Sequence, residues 1–389
     1  MMVRLTFATL LLSLGISAAE RAPLTISGSP EEKTVALPHR RIKLQQLNVK
    51  PEGVITAGYS HAGDFAHQFH IAFSSSVKGS CVFSGQPYHC AVTKFPGEEF
   101  VTQNDHSSVP NCDGCPEGQT LIYDHCKNHP QWVDVGMLPD FVRRSCGQNP
   151  IVYEECIDDP AELFEAKAFL FQPTHDRCYL DGAVANVQAL YGQLVASPEK
   201  NVKYVDDQPF PHTLPTNSTP YFNETLPAGY DGPGECLRWV YDDVDYAGAY
   251  EEKNLFVFDQ TDFWELEGDQ ATNGTGANEF GAIYIPTDCQ SGEEESQCKM
   301  VMVTGGCGGD NPGFGESDYD FAKYGELHNI IVLKSCVGGY FDKDRFTNAP
   351  EVQRGLLDVY GQLSSDYAWQ SGHHMRMVGK IMKRIMYGQ

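Results

Sequence analysis

The feature that most constrains the fold is a strand that runs through Gly58-Tyr59-Ser60 directly into a helix. The apolar run over residues 53–59 predicts a strand, and the apolar spacing over residues 62–74 predicts a helix. A serine at such a junction sits on a strained turn that exposes its hydroxyl, and small residues flank it because the two backbones approach closely. Ala62 stands where glycine is usual, and Gly63 follows it. The junction predicts an α/β fold and makes Ser60 a candidate nucleophile, although an ordinary strand-to-helix turn would look similar.

Strands and helices continue to alternate along the chain. The other predicted strands cover residues 78–84, 166–172, 201–205, 282–286, 300–304 and 330–334. The other predicted helices cover residues 181–195, 234–244, 321–328 and 351–363. This alternation is typical of an α/β fold with a mostly parallel sheet.

The sequence between these elements divides the chain further. Residues 20–46 are polar and predict a loose leader, and residues 47–389 predict a single α/β domain. Residues 90–156 hold six cysteines with little periodicity and predict a disulfide-rich insertion or cap. Residues 242–279 are acidic and rich in turn residues, which predicts a surface insertion.

The N-terminus predicts export. Arg4, an apolar run over residues 5–16 and Ser17-Ala18-Ala19 form the pattern of a signal peptide over residues 1–19, and the run is short for a membrane anchor. The protein is therefore expected to be secreted and extracellular. All 13 cysteines follow residue 19 and should mostly form disulfides there, with at least one left over because the number is odd. Possible glycan acceptors are Asn217, Asn223 and Asn273.

Charge and hydropathy exclude several classes. A net charge of −24 argues against a nucleic-acid partner, and no later apolar run is long enough for a transmembrane segment. A cysteine and histidine cluster could mimic a zinc site, but an oxidising compartment favours disulfides, so neither a metal nor a cofactor is predicted. The cluster contains Cys112, Cys115, His125, Cys126 and His129.

A serine nucleophile needs a base, and the base needs an orienting carboxylate. Asp176 follows the strand at 166–172, and His212 follows the strand at 201–205. The order Ser, Asp, His is the one that α/β hydrolases use. The alternative interpretation is that these two residues are ordinary polar residues in loops. The rival acids are Asp181, Asp206 and Asp207, and the rival base is His175.

Ser60 comes early in the chain, so the strands that usually precede such a serine must come from elsewhere. The strand at 300–304 supplies one and ends in a glycine-rich turn, which suits a loop that presents backbone N–H groups. The expected fold is a circularly permuted α/β hydrolase. The expected oxyanion donors are the backbone N–H groups of His61 and Cys307.

Several segments carry a family resemblance. They are Gly58-Tyr59-Ser60, Ser84-Gly85-Gln86-Pro87-Tyr88, Asp176, His212-Thr213-Leu214-Pro215-Thr216, Asp231-Gly232-Pro233-Gly234, Leu237-Arg238-Trp239-Val240-Tyr241 and Gly306-Cys307. With them the sequence resembles the extracellular poly(3-hydroxybutyrate) depolymerases of the circularly permuted, single-domain type. The resemblance implies a serine esterase that cleaves a polyester or 3-hydroxyacid oligomers without a cofactor. It places the family's triad on Ser60, Asp176 and His212. The sequence departs from the family at Ala62, where glycine is usual, and at Gly305, where histidine is usual.

Two other functions stay open at this point: a carbohydrate esterase acting on acetyl or feruloyl groups, and a non-catalytic binding protein on a hydrolase scaffold. Trp369 is a candidate for substrate contact. The C-terminal residues 373–386 predict a helix with one apolar face and a basic opposite face. That helix either packs on the sheet or adsorbs to a hydrophobic polymer surface.

Overall fold

The computed structural model describes residues 24–25, 34–35, 40–90, 125–136, 138–144, 156–217, 229–264, 276–290, 297–305, 314–337, 350–353, 355–363 and 366–389. The chain divides into two compact units, Met1–Pro38 and His39–Gln389. In the first unit, β1 (Leu24–Thr25) pairs antiparallel with β2 (Thr34–Val35). The predicted signal peptide over residues 1–19 lies outside the described residues.

Nine described strands form the sheet of the second unit. They are β3 (Arg40–Ile42), β4 (Val49–Tyr59), β5 (Gly79–Phe83), β6 (Lys167–Phe171), β7 (Val202–Val205), β8 (Leu255–Asp259), β9 (Phe280–Tyr284), β10 (Cys298–Thr304) and β11 (Ile330–Ser335). Their order is β3-β8-β9-β11-β10-β4-β5-β6-β7. Every neighbouring pair is parallel except the two that involve β9. The predicted α/β fold with a mostly parallel sheet is confirmed.

Helices cover both faces of this sheet. The described helices are α1 (His61–Ala72), α2 (His125–Asn128), α3 (Leu138–Arg144), α4 (Ala183–Leu194), α5 (Pro198–Asn201), α6 (Gly232–Val240), α7 (Glu316–His328), α8 (Pro350–Gln353) and α9 (His373–Tyr387). Strand side chains alternate between two apolar clusters, as in β4, where Val54 belongs to one cluster and Ile55 to the other. Helices α1, α4 and α9 pack into the first cluster, and α6 and α7 pack into the second. None of the described helices combines the length and the apolar character needed to cross a membrane.

Two segments outside the predicted strands join this sheet. Residues 242–279 contribute β8, whose core is the buried run Leu255-Phe256-Val257-Phe258. The end of the polar leader contributes β3, which pairs parallel with β8. The expectation of a surface insertion over 242–279 missed this strand because the acidic turns around it dominate the composition.

The predicted helix over residues 351–363 is wrong. Among the described residues of this segment, helix is limited to the short α8, and Gly355 and Gly361 take left-handed φ values of 86° and 75°. The buried Asp358 carboxylate accepts hydrogen bonds from the backbone N–H groups of Tyr360, Gln362 and Leu363. These backbone N–H groups thus bond to a side chain instead of to the carbonyl groups of a helix, and the segment forms a loop.

Three disulfides join pairs of cysteines that are both described: Cys81–Cys236, Cys90–Cys126 and Cys289–Cys298. Cys336 is also disulfide-bonded. The first of the three disulfides ties β5 to α6 across the second apolar cluster. Since Cys126 is oxidised, it is not available as a zinc ligand in this state. Cys112, Cys115 and Cys146 lie outside the described residues, as do Asn223 and Asn273, so the cap over 90–156 and the glycans at those two asparagines stay predictions.

Helix α9 packs on the protein. Its apolar face is fully buried in the first cluster, with Ile381, Met382 and Ile385 at 0% exposure. This apolar face is therefore covered and cannot adsorb to a polymer surface. Gly379 lies against the ring of Phe73, where an added Cβ would come within 2.6 Å of the ring.

We predict opposite effects of one substitution at two helical glycines. Gly192 in α4 has open space around it, so Gly192→Ala should raise stability by about 0.5–1 kcal/mol through helix propensity. Gly379→Ala should lower stability because the new methyl group meets the buried Phe73 ring. Thermal unfolding of both variants checks this, and a stabilised Gly379→Ala would contradict the packing of α9.

Candidate active site

Ser60 occupies a strained turn between β4 and α1. Its backbone has φ 62° and ψ −133°, a conformation that residues other than glycine adopt rarely. The Ser60 N–H donates to the Phe83 carbonyl at 2.8 Å, and the Ser60 carbonyl accepts from Gly63 N at 2.7 Å. These bonds to β5 and α1 hold the strained backbone in place.

The close approach predicted around the serine is present. A Cβ on Gly58 would lie 2.0 Å from the Ala62 carbonyl oxygen and 2.7 Å from Thr304 Oγ1. Thr304, at the end of β10, donates its hydroxyl to that same carbonyl at 2.6 Å. Glycine is therefore required at position 58, whereas Ala62 is only half-buried and its methyl group is accommodated.

His212 connects Ser60 to Asp176. Its Nε2 lies 2.9 Å from Ser60 Oγ, and its Nδ1 lies 2.9 Å from Asp176 Oδ2. A proton on Nδ1 satisfies the carboxylate and leaves Nε2 free to accept the serine hydroxyl proton. The loops after β6 and β7 meet because their strands are parallel neighbours, and a bridge between His175 and Pro211 extends that pairing.

Asp176 is held as a carboxylate. Its side chain is 0% exposed, and Oδ1 accepts the backbone N–H groups of Cys178 at 2.8 Å and Tyr179 at 2.9 Å. Burial by itself raises the pKa of Asp176, but the hydrogen bonds from His212 and from Tyr179 N outweigh it, so the net pKa is lowered. An ionised Asp176 can orient the imidazole. The rival residues His175, Asp181, Asp206 and Asp207 are all exposed.

Two tyrosines flank the His212 imidazole. The ring of Tyr59 lies 4.7 Å from it at a tilt of 42°, and the ring of Tyr179 lies 5.6 Å from it and nearly parallel, at 7°. The His212 side chain is still 20% exposed, so its edge can meet a substrate. The sequence reasoning missed Tyr179, which follows Asp176 by three residues and contacts both His212 and Asp176.

Of the two residues expected to supply oxyanion donors, the structure describes His61. His61 is the first residue of α1, where backbone N–H groups have no acceptor within the helix. Its side chain points into the protein, where Nε2 bonds the Leu357 carbonyl and burial lowers the imidazole pKa to about 4. Cys307 lies outside the described residues. Trp369 is half-buried against the first apolar cluster, so its contact with substrate stays a prediction.

One group among the described residues offers metal-ligand atoms close together. The ligand atoms of Asp176, Cys178 and His212 lie within 4.8 Å of one another. Cys178 is an exposed free thiol whose pKa is raised by partial burial and by the Asp176 charge. Because Asp176 and His212 already bond each other, the arrangement fits a hydrogen-bond relay better than a metal centre.

Helix α1, which follows Ser60, is rich in buried histidines. Burial lowers the pKa of His67 and of His70 to about 3, against a reference value of 6.5. The unfolded chain therefore binds these protons at a higher pH than the folded chain does. Their contribution to stability is fully present above about pH 6.5 and is lost as the pH falls toward about 3.

We predict that His67→Phe weakens this acid sensitivity. The His67 ring contacts Tyr191 at 4.8 Å, and phenylalanine keeps an aromatic ring there without a titrating group. The fall in unfolding free energy below pH 6.5 should become shallower by up to about 1.4 kcal/mol per pH unit. Denaturant titrations at several pH values measure it, and an unchanged slope would contradict the buried, neutral state of His67.

No protein-family model and no curated protein sequence matches the chain. Two solved structures are similar to it: PHB depolymerase from Penicillium funiculosum, and a serine-to-alanine variant of PHB depolymerase complexed with an R3HB trimer. Each has a TM-score of 0.64 and 20% sequence identity, over 89% of this chain and 99% of the other. The chain therefore shares the fold of these PHB depolymerase structures, which confirms the fold that the resemblance predicted.

Proposed function

We propose that the protein is a secreted serine esterase that hydrolyses poly(3-hydroxybutyrate) or 3-hydroxyacid oligomer esters through an acyl-enzyme. The observation that carries the proposal is the continuous hydrogen-bond chain from Ser60 Oγ through His212 to the buried carboxylate of Asp176. That chain begins on a strained strand-to-helix turn, where a nucleophilic serine of this fold class is held.

The geometry supports a two-step acyl transfer. Ser60 Oγ attacks the ester carbonyl carbon while His212 Nε2 takes the hydroxyl proton, and the imidazolium then gives that proton to the departing alkoxide. Asp176 holds the imidazole in its tautomer and stabilises the imidazolium charge. Water, activated by the same Nε2, then hydrolyses the acyl-enzyme and restores Ser60.

The tetrahedral intermediate needs donors for its oxyanion. The proposed donors are the backbone N–H of His61, which is the first residue of α1, and the backbone N–H of Cys307. Loss of one such donor typically costs about 10²–10³ in rate.

The choice of substrate follows from the structural comparison. A PHB depolymerase variant with this fold is complexed with an R3HB trimer, so an oligoester of 3-hydroxybutyrate is the substrate class to test first. Trp369 stays a proposed substrate contact. Adsorption to solid polymer would have to use a surface other than the covered apolar face of α9.

Export and chain permutation belong to the same proposal. Disulfides such as Cys81–Cys236 are typical of an oxidising compartment and support secretion. The strands that carry Ser60, Asp176 and His212 are β4, β6 and β7, and they precede β8 to β11 in the chain, although all nine strands share one sheet. This order supports a circularly permuted α/β hydrolase.

We predict selective losses in paired variants. Ser60→Ala should lower kcat/KM on a soluble ester by about 10⁴–10⁶, and Asp176→Asn by about 10⁴, with little change in melting temperature. The matched control Asp181→Asn changes an exposed rival acid and should retain activity within about twofold. Equal losses in the two asparagine variants would contradict the role of Asp176.

We predict a preference among ester classes. Release of 3-hydroxybutyrate from its trimer should show a kcat/KM at least about 100-fold higher than release of acetate or ferulate from glycans. The reverse order would assign a carbohydrate esterase instead. Absence of hydrolysis across the whole panel would favour a non-catalytic binding protein.

A further inference from the structure

Beneath the site lies a carboxyl group that the proposed mechanism does not use. Asp64 is 0% exposed and sits in the first turn of α1, four residues after Ser60. Its backbone N–H donates to the Ser60 carbonyl at 3.1 Å. Its Oδ1 accepts the Gln86 N–H at 2.8 Å, and its Oδ2 lies 2.6 Å from the Tyr179 hydroxyl and 3.4 Å from the Tyr360 hydroxyl.

Tyr179 extends this contact to the other two members of the hydrogen-bond chain. Its backbone N–H donates to Asp176 Oδ1 at 2.9 Å, and its ring lies nearly parallel to the His212 imidazole. The side chain of Tyr179 is buried, and its hydroxyl ends on Asp64. Asp64 thus links to Ser60 through its backbone, and to Asp176 and His212 through Tyr179.

We propose that Asp64 is a positioning residue for the triad, which fixes Tyr179 and thereby the orientation of Asp176 and His212 relative to Ser60. The inference rests on the proposed esterase function and adds a residue to it. Because Asp64 is fully buried, its side chain does not touch the substrate. It takes no part in the proton transfers of the proposed reaction, so its contribution is geometric. Small displacements of reacting groups have large effects on rate, because attack requires aligned atoms.

The charge state of Asp64 agrees with this role. Burial raises the pKa of its carboxyl group to about 8, although the hydrogen bonds from Tyr179 and Gln86 and the charge of Lys127 act in the opposite direction. At pH 7 the group is mostly neutral. A neutral Asp64 adds no second negative charge near Asp176, and asparagine is its matched isostere.

The test compares two tyrosines that share the same carboxyl oxygen. Tyr179→Phe and Tyr360→Phe each remove a hydroxyl from Asp64 Oδ2. Tyr179 also contacts Asp176 through its backbone N–H and His212 through its ring. Tyr179→Phe should lower kcat on a soluble ester about tenfold or more, with KM unchanged. Tyr360→Phe should leave kcat within about twofold of the wild-type value, even if its melting temperature falls as far as that of Tyr179→Phe. Asp64→Asn should keep most of kcat, whereas Asp64→Ala should lose it.

A second readout separates this proposal from the proposed function. The downfield proton resonance of the His212–Asp176 hydrogen bond, assigned by its loss in His212→Ala, should shift in Tyr179→Phe and stay in place in Tyr360→Phe. A wild-type protein that hydrolyses no ester would defeat the proposed function, while the resonance would still judge the positioning role. Equal kcat losses in the two tyrosine variants, or a resonance unmoved in Tyr179→Phe, would overturn the inference.

Discussion

The site depends on one strained turn. Ser60 holds a left-handed backbone because β4 passes into α1 with almost no space between the two elements, and only glycine fits at position 58. The neighbouring strands fix the turn, since the Phe83 carbonyl of β5 accepts the Ser60 N–H and Thr304 of β10 bonds the Ala62 carbonyl. Three adjacent parallel strands therefore place the serine hydroxyl at their carboxyl edge. The sheet then brings the loops after β6 and β7, with Asp176 and His212, to the same edge.

Much of this fold could be predicted because its strands are short apolar runs bounded by turn residues. The strands at 53–59, 166–172 and 300–304 all lie within or close to β4, β6 and β10. What could not be predicted depends on partners distant in the chain. Strand β3 is polar and short, and it is ordered by its pairing with β8. The predicted helix at 351–363 is replaced by a loop. The buried carboxylate of Asp358 bonds the backbone N–H groups of this loop, and these bonds outweigh the local helical spacing of apolar residues.

The geometry of the candidate site could also be predicted from the positions of the strands. Parallel strands end at one edge, so a serine, an aspartate and a histidine that each follow a strand are expected to meet there. The structure contains the hydrogen-bond chain between these three residues. Their catalytic roles are a proposal based on chemistry. Asp64 and Tyr179 were missed because their importance appears only in three dimensions. A signal did exist: Asp64 is an acidic residue within the buried face of α1, beside Phe65, where a carboxyl group must find hydrogen-bond partners.

The central claim is that Ser60 is an activated nucleophile, and covalent labelling tests it most directly. The native protein should react with a fluorophosphonate probe, and peptide mapping by mass spectrometry should place the adduct on Ser60 Oγ. Labelling should be absent in Ser60→Ala and much slower in His212→Ala, because the hydroxyl then lacks its base. A folded native protein that takes up no probe, or that is labelled at another residue to the same extent after Ser60→Ala, would contradict the claim.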